Sequence, residues 1–276
     1  MMKETARPTG TQSIERAIHL MKLLATRGKF GWGLTDLARR SGLDKATVHR
    51  ILGCLEAERL VERDVKEHRY FPGPMMLDLG LSVSGYQPLL DEARSTLQRL
   101  SQRTGGVAFF YLRSGIDFVV AGRAERSAHP GMLNEVGFRR PLIMSAGGVA
   151  MLLAMPAEQR DFAVERNLRE LGDMGITRLE RFERMLARSL QLGYSANLED
   201  VVGGIHSFSV SVLDRAGEPM GAIALAGEPG RFPAEAGQKF CDLLAIEAVE
   251  LGARAPCMST GRARGALAEA VAMVTA

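Results

Sequence analysis

The 276 residues are 46% hydrophobic and 24% charged, which is ordinary globular composition and enough chain for two domains with proper cores. No apolar run approaches the roughly 20 residues a membrane span requires. The opening MMKETARPTGTQ also lacks the apolar stretch of a secretory signal, so a cytoplasmic protein is expected. Net charge is only +3, yet residues 1–75 hold 14 Lys and Arg against 9 Asp and Glu, as a basic nucleic-acid module on a slightly acidic body would.

Residues 1–11 read as a polar, disordered tail, and residues 12–74 as one winged module. Its first helix is expected to turn Ile14, Ile18, Met21 and Leu24 inward. The stretch 34–60, LTDLARRSGLDKATVHRILGCLEAERL, is the most informative in the chain. Thr35 stands where an N-cap belongs, Leu37 and Ala38 form the buried pair, and Gly42 ends that helix. Asp44 caps the next helix, in which Val48, Ile51, Leu52 and Leu55 share a core-facing stripe. The opposite face centres on Ala46, Arg50 and Gly53, flanked by Lys45, Thr47 and His49. One long cation between two very small residues suits a helix that sinks into the major groove of DNA. The segment that follows, LVERDVKEHRYF, reads as a two-stranded wing with Lys66, His68 and Arg69 at its tip to reach phosphate. Arg39 and Arg40 are further phosphate candidates, and Thr35 completes the set of candidate DNA contacts.

Pro72, Gly73 and Pro74 end the wing, and residues 75–104 form linker helices. A short helix spans about Met75 to Ser84. A longer one follows the break Gly85-Tyr86-Gln87-Pro88, with Leu90, Ala93, Leu97 and Leu100 as its apolar seam. The second domain, 105–253, opens with a hairpin, VAFFYLR and DFVVAGR around Ser114-Gly115. Further elements are a strand near Leu133 to Val136 and helices at Ser145–Met155, Asp161–Leu171 and Leu179–Gly193, the last burying Leu179, Phe182, Leu186 and Leu190. Strands Ile205–Leu213 and Met220–Gly227 and a helix Glu235–Leu251, with Phe240, Leu244, Ala248 and Leu251 inward, close the domain. An antiparallel sheet with helices segregated on it makes the fold class α+β. The tail, 254–276, is rich in Ala and Gly and is assigned no function.

The runs SIERAIHLMKLLA, LTDLARRSGLDKATVHRILGCLEAERLVERD and YFPGPMMLDLG resemble the IclR family of bacterial transcriptional regulators. The likeness continues through PLIMSAGGVAMLLAM, LQLGYSANLED and GIHSFSVSVLDRAGEPMGAIALAG, covering about residues 12–253 in the family's order and spacing. The resemblance implies an N-terminal winged helix-turn-helix and a C-terminal GAF-like sensor that holds a small molecule between its sheet and the small-residue helix. The residues support such a pocket. Ser145, Ala146 and Gly147 open a helix whose free N–H groups suit an anionic group, although small residues there also permit plain close packing. On the strand IHSFSVSVLD, Ser207, Ser209 and Ser211 point to one face and His206, Phe208, Val210 and Val212 to the other.

Against the family's pattern, Ser207 stands where a cysteine is usual and Asn197 where an acid is usual. Ala224 and Ala226 replace the serines of regulators that bind small oxoacids. These departures favour a carboxylate with an apolar or aromatic body, with Phe109, Tyr111, Met132, Phe138 and Met144 as possible walls or plain core. The partners expected are a double-stranded, palindromic operator, the effector and a second copy of the chain, as homodimer or homotetramer. Repression is expected ahead of activation, though its sign depends on where the operator lies. An alternative is a helix-turn-helix regulator governed by a protein partner. A hydrolytic enzyme ranks behind both, because Walker, HExxH, GxSxG and dinucleotide motifs are lacking and adjacent His206 and Ser207 face opposite ways. Cys54, Cys241 and Cys257 lie too far apart for a zinc cluster or disulfide framework, and no cofactor, metal or catalytic residue is expected.

Overall fold

A computed structural model of the chain describes residues 11–83, 85–126, 134–171 and 176–255. Helix α1 (Gln12–Leu24) buries Leu20, Leu23 and Leu24 against α2 (Leu34–Ser41) and α3 (Lys45–Ala57). Ile14 and Ile18, expected inward, are 60% and 42% exposed. The apolar residues of α1 occupy two faces, and only the Leu20 face meets the other helices of the module. Gly42 closes α2 in the left-handed conformation at φ 69°, and Asp44 caps α3. Gly33, not Thr35, stands at the N-cap of α2, so Thr35 lies inside the helix and is exposed. The wing is β2 (Val61–Asp64) against β3 (Arg69–Pro72), with β1 (Trp32–Gly33) adding a third strand in the order β1-β3-β2.

Helix α4 (Pro74–Ser82) buries none of its residues, and Leu77, Leu79, Leu81 and the following Val83 are all exposed. Helix α5 (Tyr86–Thr104) begins within the segment expected to be a break. Pro88 sits in its first turn, where the missing N–H has no intrahelical partner to lose. The buried seam of α5 is Leu89, Ala93, Thr96, Leu97, Leu100 and Ser101, with Leu90 only half-buried.

A six-stranded antiparallel sheet follows. It comprises β4 (Val107–Ser114), β5 (Asp117–Ala124), β6 (Arg139–Pro141), β7 (Ser195–Leu198), β8 (His206–Leu213) and β9 (Pro219–Gly227), in the order β6-β5-β4-β9-β8-β7. The helices are α6 (Ala146–Ala154), α7 (Ala157–Leu171), α8 (Ile176–Leu192) and α9 (Gly237–Ala253). Phe110, Phe208, Ile223 and Leu225 pack from one face of the sheet with α5 and α9. Phe109, Tyr111, Ala222, Ala224 and Ala226 pack from the other with α6, α7 and α8. The expected strand near Leu133 to Val136 is not there. Leu133 lies outside the described residues, Asn134–Val136 are irregular, and the edge strand is β6. Leu190, expected in the core, is 55% exposed, because α8 turns Phe182, Met185 and Ser189 inward.

Among the described residues, the turn after α1 joins the two halves of the chain. Lys29 pairs with Glu135 at 2.9 Å, and Phe30 meets Phe138 edge-on with ring centroids 6.3 Å apart. The Arg139 amide donates to the Ala25 carbonyl at 3.2 Å. Gly28, at φ 46°, presses so closely that a Cβ there would lie 2.2 Å from the Phe138 ring.

Candidate nucleic-acid interface and ligand site

The start of α3 is fixed by its cap. The Thr47 amide and hydroxyl donate to Asp44 at 2.8 and 2.7 Å, and these two bonds hold the Asp44 carboxyl below its ordinary pKa. The Thr47 hydroxyl has thereby spent its proton, so toward DNA it can only accept a hydrogen bond or offer its methyl. Lys45, Ala46, His49, Arg50 and Gly53 are exposed on the face away from the module's core. Arg50 makes no ion pair among the described residues, and a Cβ on Gly53 would meet nothing within 4 Å. This face presents one long cation, Arg50, between two minimal side chains, Ala46 and Gly53.

The other DNA candidates divide by what already holds them. Arg39 is paired with Asp36 at 2.6 Å, whereas the exposed Arg40 has no ion-pair partner among the described residues. In the wing turn, Asp64 accepts the amides of Lys66 and Glu67 at 2.7 and 2.9 Å, leaving the Lys66 ammonium outside. His68 sits at φ 53°, with its Nδ1 3.3 Å from Arg63. Arg69 is not at the tip. It lies on β3 and donates to the Phe30 carbonyl at 2.8 Å, bracing the wing against the turn before α2. Arg63 and Arg59, exposed on and just before the wing, are cations that sequence reasoning passed over. Alternation along VERD gives no signal for Arg63, because it shares the inward face of Val61 and lies over the Tyr70 ring at 5.6 Å.

In the second domain, Ser207 lies opposite Asn197 on β7 and Ala226 on β9, while Ser209 lies opposite Ser195 and Ala224. All six therefore share the sheet face toward α6. The serine hydroxyls are not equivalent. Ser209 donates to the Ile223 carbonyl at 2.8 Å and Ser211 to Gly221 at 3.2 Å, while Ser207 makes no side-chain hydrogen bond among the described residues. Asn197 is buried and structurally engaged. Its carboxamide donates to Ile205 at 3.3 Å and accepts from the Val201 amide at 3.0 Å. Arg188 grips Asp200 with two bonds of 2.7 and 2.9 Å and fixes the same loop. Ser195 was not anticipated, yet its hydroxyl is buried on this face without a hydrogen-bond partner.

At the helix start, the Ser145 hydroxyl accepts the Gly148 amide at 2.9 Å, which removes one of the free N–H groups. The Ala146 and Gly147 amides precede it in the same turn and lie too early in α6 to have an intrahelical acceptor. A Cβ at Gly147 would lie 2.2 Å from the Tyr111 ring, and one at Gly148 would lie 1.8 Å from the Leu142 carbonyl oxygen. Both glycines therefore serve close packing as well. Tyr111 fills the space between sheet and helix, stacked on Phe109 at 5.7 Å and edge-on to Phe118 at 4.9 Å. Burial pushes its phenol pKa far up, against a smaller opposing pull from Asn134. Met144 and Phe138 flank this aromatic group, while Met132 lies outside the described residues.

Comparison with known proteins agrees with both halves. The family description "IclR helix-turn-helix domain" matches residues 13–65, and "Bacterial transcriptional regulator IclR C-terminal" matches residues 82–254. The glycerol operon regulatory protein of Streptomyces coelicolor is 29% identical over 221 residues, covering 80% of this chain and 86% of that protein. The HTH-type transcriptional repressor AllR of Klebsiella pneumoniae is 26% identical over 231 residues, covering 83% and 85% respectively. An IclR homologue from Microbacterium hydrocarbonoxydans, solved with 4-hydroxybenzoate, superposes with a TM-score of 0.63 at 19% identity, covering 88% of this chain and 98% of its own.

Proposed function

The chain belongs to the IclR family of bacterial transcriptional regulators, and from that premise we propose that it represses from a palindromic operator in the cytoplasm and is released by a small carboxylate with an apolar or aromatic body. The observation that carries the DNA half is the exposed Ala46–Arg50–Gly53 surface of α3, whose central cation has no competing partner in the described protein. AllR, a relative, is named a repressor, which supports that direction. In this reading Lys45, Thr47, His49 and Arg50 meet the groove, while Thr35, Arg39, Arg40, Lys66 and His68 approach the backbone. Arg69 acts through the placement of the wing. Two reading heads are needed for two half-sites. The apolar surface left open on α4, with Ile14 and Ile18 of α1, supplies the face that a second copy would cover.

For the effector, Ser207 and the Ala146 and Gly147 amides would receive the polar end, with Ser145, Asn197 and Ser209 holding the frame. The body would lie against Tyr111, Phe109, Ala224 and Ala226. The Microbacterium homologue was solved with an aromatic carboxylate, which favours that class. The test is an operator titration of the full chain before and after adding members of a carboxylate library, including 4-hydroxybenzoate, with sedimentation to give the stoichiometry. Two chains per operator and release by one compound class are expected. Monomeric binding, or indifference to every carboxylate, would overturn the respective half of the reading.

A further inference from the structure

Between the reading head and the sensor lies a cleft of about 1260 Å³, which meets the sheet–α6 site at Phe138 and Met144 but is lined by other charged residues. Its charges are lopsided once internal pairs are removed. Arg39 is taken by Asp36, and Arg139 is taken by Asp117 at 2.8 Å and by Ser114 at 2.7 Å. Arg27 stacks on Trp32 at 3.8 Å. That leaves Lys22 and Arg40 from the head and Arg140, Arg166 and Arg178 from the sensor, none with an ion-pair partner among the described residues. Glu170 is the one lining carboxylate among the described residues that is not in an ion pair.

Arg140 is the least comfortable of these cations. Its Nε is buried without a hydrogen-bond partner, and its guanidinium lies over the Phe138 ring at 5.8 Å. Burial and then the like charge of Arg178 pull its pKa below the ordinary guanidinium value. His19 reports the same field from the head. Burial lowers its pKa, Glu170 across the cleft raises it, and Lys22 and Arg40 lower it further. A desolvated guanidinium with an unused donor, facing like charges across a gap, is stabilised most by an anion with several acceptor oxygens.

We propose that this cleft is a second ligand site, taking a small molecule with at least two negative charges, such as a phosphate ester or a dicarboxylate. The ligand bridges Lys22 and Arg40 of the head to Arg140, Arg166 and Arg178 of the sensor. Neutralising cations on both walls at once, it fastens the head in the orientation seen here.

The experiment titrates the full-length protein with inorganic pyrophosphate, with sodium chloride at matched ionic strength as the control, by calorimetry and by the imidazole signal of His19. The expected result is saturable binding at one site per chain with a rise in the His19 pKa. Arg178→Gln and Arg40→Gln should each weaken binding by about tenfold or more. Both side chains are exposed and make no ion pair among the described residues, so neither replacement threatens the fold. Ser207→Ala should leave pyrophosphate binding unchanged. A response equalled by chloride overturns the proposal, as does sensitivity to Ser207→Ala but not to Arg178→Gln, which would put the anion at α6. If Arg166→Gln and Arg178→Gln instead weaken operator binding as much as pyrophosphate binding, the cleft is a groove for the DNA backbone and the proposal falls.

Discussion

Gly53→Ala separates folding from recognition. Gly53 is exposed in the interior of α3, and an added methyl there meets nothing within 4 Å in the protein. Alanine is the better helix former by about 0.5–1 kcal/mol, so the free protein should gain roughly that much stability. In the proposed complex, with α3 seated in the major groove, the added methyl would instead press on the DNA. Forcing one methyl into a packed interface costs about 1–3 kcal/mol, or roughly 5- to 150-fold in affinity. Urea unfolding of the full chain measures the first effect, and fluorescence anisotropy with operator and scrambled DNA measures the second. The expected pattern is a more stable protein that binds its operator worse. A variant that is stabilised yet binds with unchanged affinity would show that this part of α3 never approaches DNA, and the assigned face would be wrong.

Arg50→Ala should cost about 1–3 kcal/mol on the operator and little on scrambled DNA, whereas equal losses on both would reduce Arg50 to a phosphate contact. The folded-state pKa of Asp44 lies below its ordinary value of 3.8, so its stabilisation is present above that value and lost as pH falls through the folded one. Asp44→Ala should therefore flatten the acid limb of a stability-against-pH curve near pH 4 and below, and an unchanged limb would refute the capping role. Ser207→Ala should weaken effector binding by about 0.5–1.5 kcal/mol in calorimetry, because a free hydroxyl loses only its bond to ligand. Ser209→Ala should instead lower the melting temperature, since that hydroxyl already serves Ile223. The reverse assignment of the two serines would refute the site's polarity.

The reading head was legible because its signals are local. Gly42, Asp44 and the stripe Val48, Leu52, Leu55 each act within a turn or two of helix, and all sit as the spacing predicts. The direction of Ile14 and Ile18 was not legible, because periodicity marks an apolar face without saying which chain covers it. Short strands also escaped. Trp32–Gly33 and Arg139–Pro141 are too brief for an alternating pattern and exist through their pairing partners. In the sensor, alternation along β8 placed the serines on one face correctly. It gave no hint that Ser209 and Ser211 were spent on carbonyls of β9 while Ser207 was not, since that depends on a strand several residues farther along. Arg69 was misplaced for the same reason, because its acceptor, Phe30, lies 39 positions away.

The seam between the two halves bears on how interchangeable such heads are. Among the described residues it includes the turn after α1, with Lys29, Phe30 and the Ala25 carbonyl meeting Glu135, Phe138 and the Arg139 amide. Gly28 is the strictest element of this joint, since any side chain there would strike the Phe138 ring. A head grafted from a relative would fit this sensor only if it brought a glycine at that position and an aromatic two residues later. A graft lacking them would still fold and still read its own DNA sequence, but it would hang from the linker without a fixed seat. On the proposed reading, operator choice would travel with the head, while coupling to the sensor would depend on Ala25, Gly28, Lys29 and Phe30, none of which is an assigned DNA or effector contact.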